Sequence, residues 1–208
     1  MVLHNFIVFE GIDGSGTSTQ IALLKNKLPN PGTLFTAEPT SLATGRFLRT
    51  LLRGDERLTP GTMAYLFAAD RYEHVHAQDG ILQTCADGGI VVSDRYFFSS
   101  LAYQSAECGR ELPAKLNESF PLPEYLFYFD IEPSVSLNRI TGRSVTEIYE
   151  KREFLEKTAA EYERIIGEYE KTAAGTGMKI IRLDASESVA EVSENIWSIL
   201  RNMPILNT

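Results

Sequence analysis

The feature that most constrains this chain is a glycine-rich step close to its start. Phe6–Glu10 is a short apolar run, and it leads directly into Gly11-Ile-Asp-Gly-Ser-Gly-Thr-Ser18. From Thr17 to Leu28 the residues Ile21, Leu23, Leu24 and Leu28 recur at helical spacing, until Pro29 and Pro31 stop the pattern. Buried strand, glycine turn and helix in that order form the context of G-x-x-x-x-G-K-[ST], a loop whose backbone amides converge on phosphate oxygens. Glycines allow the convergence because no Cβ intervenes. The helix N-terminus adds unpaired N–H groups and a positive dipole end. Ser18 stands at the hydroxyl position that binds Mg²⁺, but the lysine position holds Thr17. An ammonium hydrogen-bonded to phosphate is worth about 1.5–3 kcal/mol, or roughly 10- to 150-fold in rate if felt only in the transition state. A glycine-rich β-to-α turn that holds no nucleotide is the alternative.

The rest of the chain alternates in the same way. Thr33–Ala37 reads as a second strand, ahead of Glu38-Pro39; Leu42–Arg53 reads as a helix, and Met63–Ala86 as one long amphipathic helix. Ile90-Val91-Val92 is a β-branched strand that ends at Asp94, and a helix is expected over Phe98–Glu107. Tyr125–Phe129 is a further strand ending at Asp130, and Val135–Ile140 begins a helix. Thr141–Glu150 reads as polar and irregular, Arg152–Lys171 as a charged helix, Met178–Leu183 as the last strand and Val189–Arg201 as the last helix. Five strands alternating with helices predict an α/β fold: one five-stranded parallel sheet covered by helices on both faces. In such folds ligands gather beyond the carboxyl ends of the strands. That rule singles out Gly11–Thr19, Glu38, Asp94 and Asp130.

Composition narrows the partners. With 208 residues the chain has the length of one domain, and residues 1–208 are expected to form one. A formal net charge of −8 argues against gripping a nucleic-acid backbone, but not against a small phosphate ligand. Cys85 and Cys108 stand alone, which suits free thiols in a reducing compartment. Met1 leads into an apolar strand without a basic leader, and no apolar run approaches the roughly 20 residues of a membrane span. The expectation is a cytoplasmic protein that engages no membrane.

Several ordered segments together resemble the thymidylate kinase family. Phe9-Glu-Gly-Ile-Asp-Gly-Ser-Gly-Thr-Ser-Thr-Gln20 is similar to its phosphate loop, apart from Thr17. Glu38-Pro39 resembles its Glu-Pro pair, and Leu66-Phe-Ala-Ala-Asp-Arg71 its Phe-x-x-x-Arg segment. Asp94-Arg95-Tyr96, with Ser99-Ser100-Leu-Ala-Tyr103-Gln104 behind it, resembles its Asp-Arg-Tyr segment. The resemblance covers nearly the whole chain and implies a P-loop nucleoside monophosphate kinase with a small lid, moving a phosphoryl group from ATP to dTMP on the way to dTTP. It also implies Mg²⁺ and a homodimer.

Residue by residue, the resemblance places ATP on Gly11, Asp13, Gly14, Ser15, Gly16, Thr17, Ser18 and Thr19, with Arg139 beneath the adenine. Ser18 and Asp94 would hold Mg²⁺ and its waters; a helix N-cap is the alternative for Asp94. Phe67 and Arg71, four apart on one helix face, would stack and hydrogen-bond the thymine; a core Phe beside a surface Arg is the alternative. Tyr103 and Gln104 would touch base and deoxyribose, with Ser99 and Ser100 on the same helix. Glu38 and Pro39 border the acceptor, and their peptide bond is a candidate cis bond. Arg49 would reach the acceptor phosphate unless it is simply solvated. Arg95 would lie between that phosphate and the incoming group; an ion pair with Asp94 or Asp130 is the alternative. Asp13 would face the acceptor sugar and phosphate.

The catalytic set implied is therefore Asp13, Arg95 and Arg143, the last on a mobile lid at about 141–152. Because the phosphate loop carries no basic residue, Arg143, with Arg139 or Arg152, is expected to supply the missing charge. A solvated charged loop is the alternative. A weakly active or silent nucleotide-binding homologue, or a kinase for another nucleoside or monophosphate, remains open at this point.

Overall fold

The structure is a computed structural model that describes residues 1–28, 32–54, 58–140, 145–173 and 176–203, the side chains of 145–151 excepted. Its strands are β1 (Val2–Gly11), β2 (Thr33–Ala37), β3 (Ile90–Asp94), β4 (Leu122–Asp130) and β5 (Lys179–Asp184). They form one parallel sheet in the order β2-β3-β1-β4-β5. Successive strand residues point to opposite faces, yet Phe6 to Gly11 are all buried. Both faces of β1 are therefore covered, as the β-branched and aromatic runs predict.

The helices are α1 (Thr17–Leu24), α2 (Ala43–Leu52), α3 (Pro60–His76), α4 (Ile81–Ala86), α5 (Phe97–Cys108), α6 (Glu111–Asn117), α7 (Pro133–Arg139), α8 (Val145–Ala173) and α9 (Val189–Leu200). Among the described residues none is long and apolar enough to cross a membrane. Pro60 and Pro133 each sit in a first turn, where the missing N–H costs nothing. Ser188 caps α9 and exchanges hydrogen bonds with Glu191 in a capping box.

Three expected elements differ in the structure, and one helix appears that the sequence did not predict. The long helix over Met63–Ala86 is two helices. Ala77 leaves helical geometry with ψ 157 and Asp79 takes φ 62. A Cβ on Gly80 would lie 2.8 Å from the carbonyl oxygens of Ala77 and His74, so Asp79-Gly80 makes the turn. Helix α1 ends at Leu24, and Lys25 to Leu28 continue as a turn. Helix α8 starts at Val145, so the backbone of 145–150 is helical rather than irregular. The reason is local: Val145 to Ile166 contains neither Gly nor Pro and is rich in Glu, Lys, Arg and Ala. Helix α6 had not been expected at all.

The register sets the carboxyl ends of the strands level. Phe9 and Ala37 both stand opposite Asp94, Gly11 stands opposite Phe129, and Asp130 opposite Asp184. The glycine step, Glu38, Asp94 and Asp130 thus share one edge of the sheet, as the switch-point rule requires.

Candidate active site

At that edge the glycine loop bends into α1. Gly14 and Gly16 have φ of 82° and 101°, a region that L side chains rarely adopt. A Cβ on Gly14 would also lie 2.9 Å from Ser136 O and from Ile140 Cγ1, so this glycine lets the loop close against α7. The Ser136 hydroxyl donates to Asp13 O and ties α7 to the same loop. The result is an open cavity of about 830 Å³ lined by Asp13 to Gln20, Asp94, Arg95, Arg139, and Ala185 with Glu187–Val189. Arg139 donates to Gly14 O at 3.4 Å and to Ala185 O at 2.9 Å, spanning from the loop to the segment after β5.

Ser18 donates its hydroxyl hydrogen to Asp94 Oδ2 at 2.5 Å. The other oxygen, Asp94 Oδ1, is buried with no hydrogen-bond partner among the described residues. A buried carboxylate oxygen without a donor wants a cation or its waters. One hydroxyl and one carboxylate suit Mg²⁺, which keeps several waters and takes phosphate oxygens as its other ligands.

Beside the first cavity lies a second, of about 410 Å³, lined by Pro39, Leu52, Met63, Phe67, Arg71, Tyr96, Ser99, Ser100, Tyr103, Gln104, Glu107 and Phe154. Its walls are held by a buried polar lattice. Arg71, 1% exposed, donates Nε to Glu38 at 2.9 Å, Nη2 to Ser100 at 2.8 Å and Nη1 to Asn117 Oδ1. Glu38 also pairs with His74 at 2.9 Å, whose other ring nitrogen meets Thr36 Oγ1 at 2.8 Å. Asp70 receives the Thr40 N–H and both Thr40 and Thr44 hydroxyls, fixing the turn after β2. Within that turn the Glu38-Pro39 bond is cis. Gln104, 5% exposed, leaves Oε1 unpaired.

Asp13, Glu38 and Arg95 line both cavities, so the two are one cleft with a shared wall. Arg95 has φ 72, outside the regions a side chain prefers; holding such a residue there costs about 1–3 kcal/mol. It donates Nη1 to Gly11 O at 2.9 Å and to Ser99 Oγ at 3.0 Å, and Nη2 to Asp13 Oδ1 at 2.7 Å. Its cation lies 5.1 Å above the Tyr103 ring. Burial works against the charge, but Tyr103, Tyr162, Asp13 and Glu10 together hold the Arg95 pKa well above its ordinary value. Burial pushes the Tyr103 hydroxyl up to about 12, against the pull of Arg95.

The sequence model for "Thymidylate kinase" matches residues 9–196. A Treponema pallidum (strain Nichols) protein named "Putative thymidylate kinase" is 43% identical over 202 residues, 96% of either chain. The "Probable thymidylate kinase" of Methanococcus aeolicus is 35% identical over 205 residues, covering 98% of this chain and all of its own. The "Thymidylate kinase" of Leptospira interrogans serovar copenhageni is 40% identical over 168 residues, 77% of this chain and 81% of that one.

This chain belongs to the thymidylate kinase family. Of the site residues expected from that resemblance, the structure gathers Asp13–Thr19, Asp94 and Arg139 around one cavity, whose lining does not include Gly11. It gathers Pro39, Phe67, Arg71, Ser99, Ser100, Tyr103 and Gln104 around the other, with Glu38 between them. The surface alternative for Arg71 does not hold, since its guanidinium is buried. Arg95 meets Asp13, not Asp94 or Asp130, because its left-handed backbone turns the side chain back over the glycine loop. Arg49 is partly buried, lines the larger cavity and donates to Pro39 O. Arg143, with residues 141–144 of the expected lid over about 141–152, lies outside the described residues. Arg152 pairs with Glu156 along α8 and is among the lining residues of neither cavity.

Several residues that shape the site had not been singled out. Glu10, Asp70, His74, Asn117 and Tyr162 are all buried and all hydrogen-bond a lining residue or the turn beside it. Only Glu10 and Asp70 carried a sequence signal, as acids inside otherwise apolar segments.

Proposed function

We propose that the chain transfers the γ-phosphoryl group of ATP to the phosphate of dTMP, giving ADP and dTDP. One observation carries the reading: a cleft built on a glycine loop opens, past Asp13, Glu38 and Arg95, onto a smaller pocket with Phe67 on its wall and the Gln104 amide oxygen unpaired. A nucleoside triphosphate suits the first by its phosphates, and a flat base with a ribose phosphate suits the second by size and lining.

The larger cavity takes ATP, with phosphates against the amides of Gly11, Asp13, Gly14, Ser15, Gly16, Thr17, Ser18 and Thr19, and adenine toward Arg139 and Ala185. Phe67 and Arg71 hold the thymine, while Tyr103 and Gln104 bound base and sugar. Arg49 and Arg95 attract the acceptor phosphate and Asp13 sets its approach. One acceptor oxygen then forms a bond to the γ-phosphorus as the bond to the β-phosphate bridging oxygen breaks. The acceptor oxygen is already ionised, so no general base is needed and positioning with charge neutralisation does the rest. Mg²⁺, held by Ser18 and the free Asp94 oxygen, supplies charge neutralisation on the phosphates when bound.

Thr17 leaves the loop without its usual cation. We assign that charge to Arg95 and to Arg143 on a lid over about 141–152, within a single kinase domain of residues 1–208. Full activity in Arg143→Ala would contradict this division. The family resemblance implies a homodimer, and exposed Phe47, Tyr65 and Tyr72 on α2 and α3 support it by offering apolar surface to a second copy. A cytoplasmic location is supported by Cys85 and Cys108 as free thiols. Thr17 is also the one observation that favours a slow nucleotide-binding homologue. A panel of dTMP, dUMP, thymidine and AMP decides the acceptor, and preference for a 5′-hydroxyl over a 5′-phosphate would overturn the proposal.

A further inference from the structure

Glu10 has no part in that scheme, yet it is a wholly enclosed acid of the site. It is the penultimate residue of β1, fully buried, and its two oxygens serve different elements. Oε1 accepts from the backbone N–H of Tyr96 at 2.7 Å and of Ser99 at 3.2 Å. Oε2 accepts the hydroxyl of Ser99 at 2.6 Å and of Tyr162, on α8, at 2.8 Å. Those two hydroxyls, 2.8 Å apart, in turn accept from Arg95 Nη1 at 3.0 and 3.4 Å. The carboxylate therefore holds both ends of the Arg95 turn: the backbone on either side of Tyr96 and, through two hydroxyls, the guanidinium.

We propose that Glu10, acting through the hydroxyls of Ser99 and Tyr162, is the positioning residue that fixes Arg95 in its left-handed conformation and holds its guanidinium at the wall shared by the two cavities, beside the path of the migrating phosphoryl group. Each hydroxyl spends its hydrogen on the carboxylate, which leaves only lone pairs facing Nη1. Arg95 cannot then rotate toward Glu10 without losing both contacts. Tyr162 is kept in register by stacking on Tyr128, with centroids 5.6 Å apart, and by an edge contact with Tyr103. Burial, partly offset by Arg95, raises the pKa of Glu10, so the carboxylate is charged here only at a cost. Structural acids are ordinarily paired directly; this one reaches its cation only through side-chain hydroxyls.

The inference rests on the proposed kinase reaction, and a chain that makes no dTDP would refute that reaction before any variant is compared. Tyr162→Phe removes one hydroxyl and keeps the ring stack. At pH 8, with saturating MgATP, it is expected to lower kcat 5- to 20-fold with a KM for dTMP changed less than 3-fold. In an Arg95→Ala background the same substitution should cost less than 2-fold, because the group it acts through is gone. Ser99→Ala repeats the comparison independently and should behave alike. An unchanged kcat in both single variants overturns the proposal, as does a loss of the same size with and without Arg95, which would mean a merely structural role.

Discussion

Replacing Arg71 by lysine tests whether the acceptor pocket depends on a forked cation or only on positive charge. Lysine keeps the charge but presents three donors from one point on an unbranched stem, whereas guanidinium fans its donors in a plane. Arg71 uses that plane to reach three elements at once: Glu38 after β2, Ser100 on α5 and Asn117 at the end of α6. An ammonium that stays with Glu38 loses Asn117 and Ser100. Two charge-assisted hydrogen bonds of about 1.5–3 kcal/mol each are forfeited, partly recovered by relaxation. A net loss of about 2–4 kcal/mol is a large share of a domain's total of roughly 5–15 kcal/mol. Urea unfolding followed by Trp197 fluorescence should show a midpoint lowered by about 1 M or more, at a slope of about 2–3 kcal/mol/M. The KM for dTMP should rise at least ten-fold, since Asn117 and Ser100 no longer hold the pocket wall. A midpoint shift below about 0.3 M with unaltered dTMP saturation would refute the reasoning, for then charge alone suffices.

Two further perturbations follow from the geometry. Burial pushes the Glu10 carboxyl up to about 7 from its ordinary 4.5, against the pull of Arg95 and of the hydrogen bonds from Ser99, Tyr162 and Tyr96. The folded state therefore binds this proton more tightly than the unfolded chain, so the contribution is complete below pH 4.5 and is lost as pH rises through 7. Relative to Glu10→Gln, the unsubstituted chain should lose about 3 kcal/mol of stability between pH 4.5 and 7.5; parallel urea midpoints across that range would contradict it. Gly14→Ala places a methyl 2.9 Å from Ser136 O at a φ of +82°. Calorimetric titration should show MgATP affinity down at least ten-fold and dTMP affinity within two-fold, and equal losses for both ligands would break the assignment of the two cavities.

Much of this site was legible in the sequence because its residues end strands. The glycine loop, Glu38 and Asp94 each follow an apolar run, and a parallel sheet brings such positions to one edge; Asp130 reaches the same edge but lines neither cavity. Helical spacing put Phe67 and Arg71 on one face, but their role as a pair came from the family resemblance. What was not legible is how the pairs are held. Asn117 comes from a helix that shows no clear period, and its partner lies 46 residues away. Tyr162 looked like one apolar position among many in a charged helix, and only the fold brings its hydroxyl to Glu10 across 152 residues. The division of Met63–Ala86 has a sequence signal in Asp79-Gly80, which the helical period read over the whole segment passes over. The left-handed backbone at Arg95 had no signal, because arginine carries no preference for that region.

The account stands most directly on one assay: ATP-dependent conversion of dTMP to dTDP by the purified chain with Mg²⁺, run beside Ser18→Ala. Loss of the Ser18 hydroxyl removes the group hydrogen-bonded to Asp94 while leaving the loop amides in place. The account predicts steady formation of dTDP by the unsubstituted chain, and a rate at least a hundred-fold lower in the variant. Turnover no faster than that of Ser18→Ala, with ATP still bound, would contradict it and leave a nucleotide-binding homologue in its place.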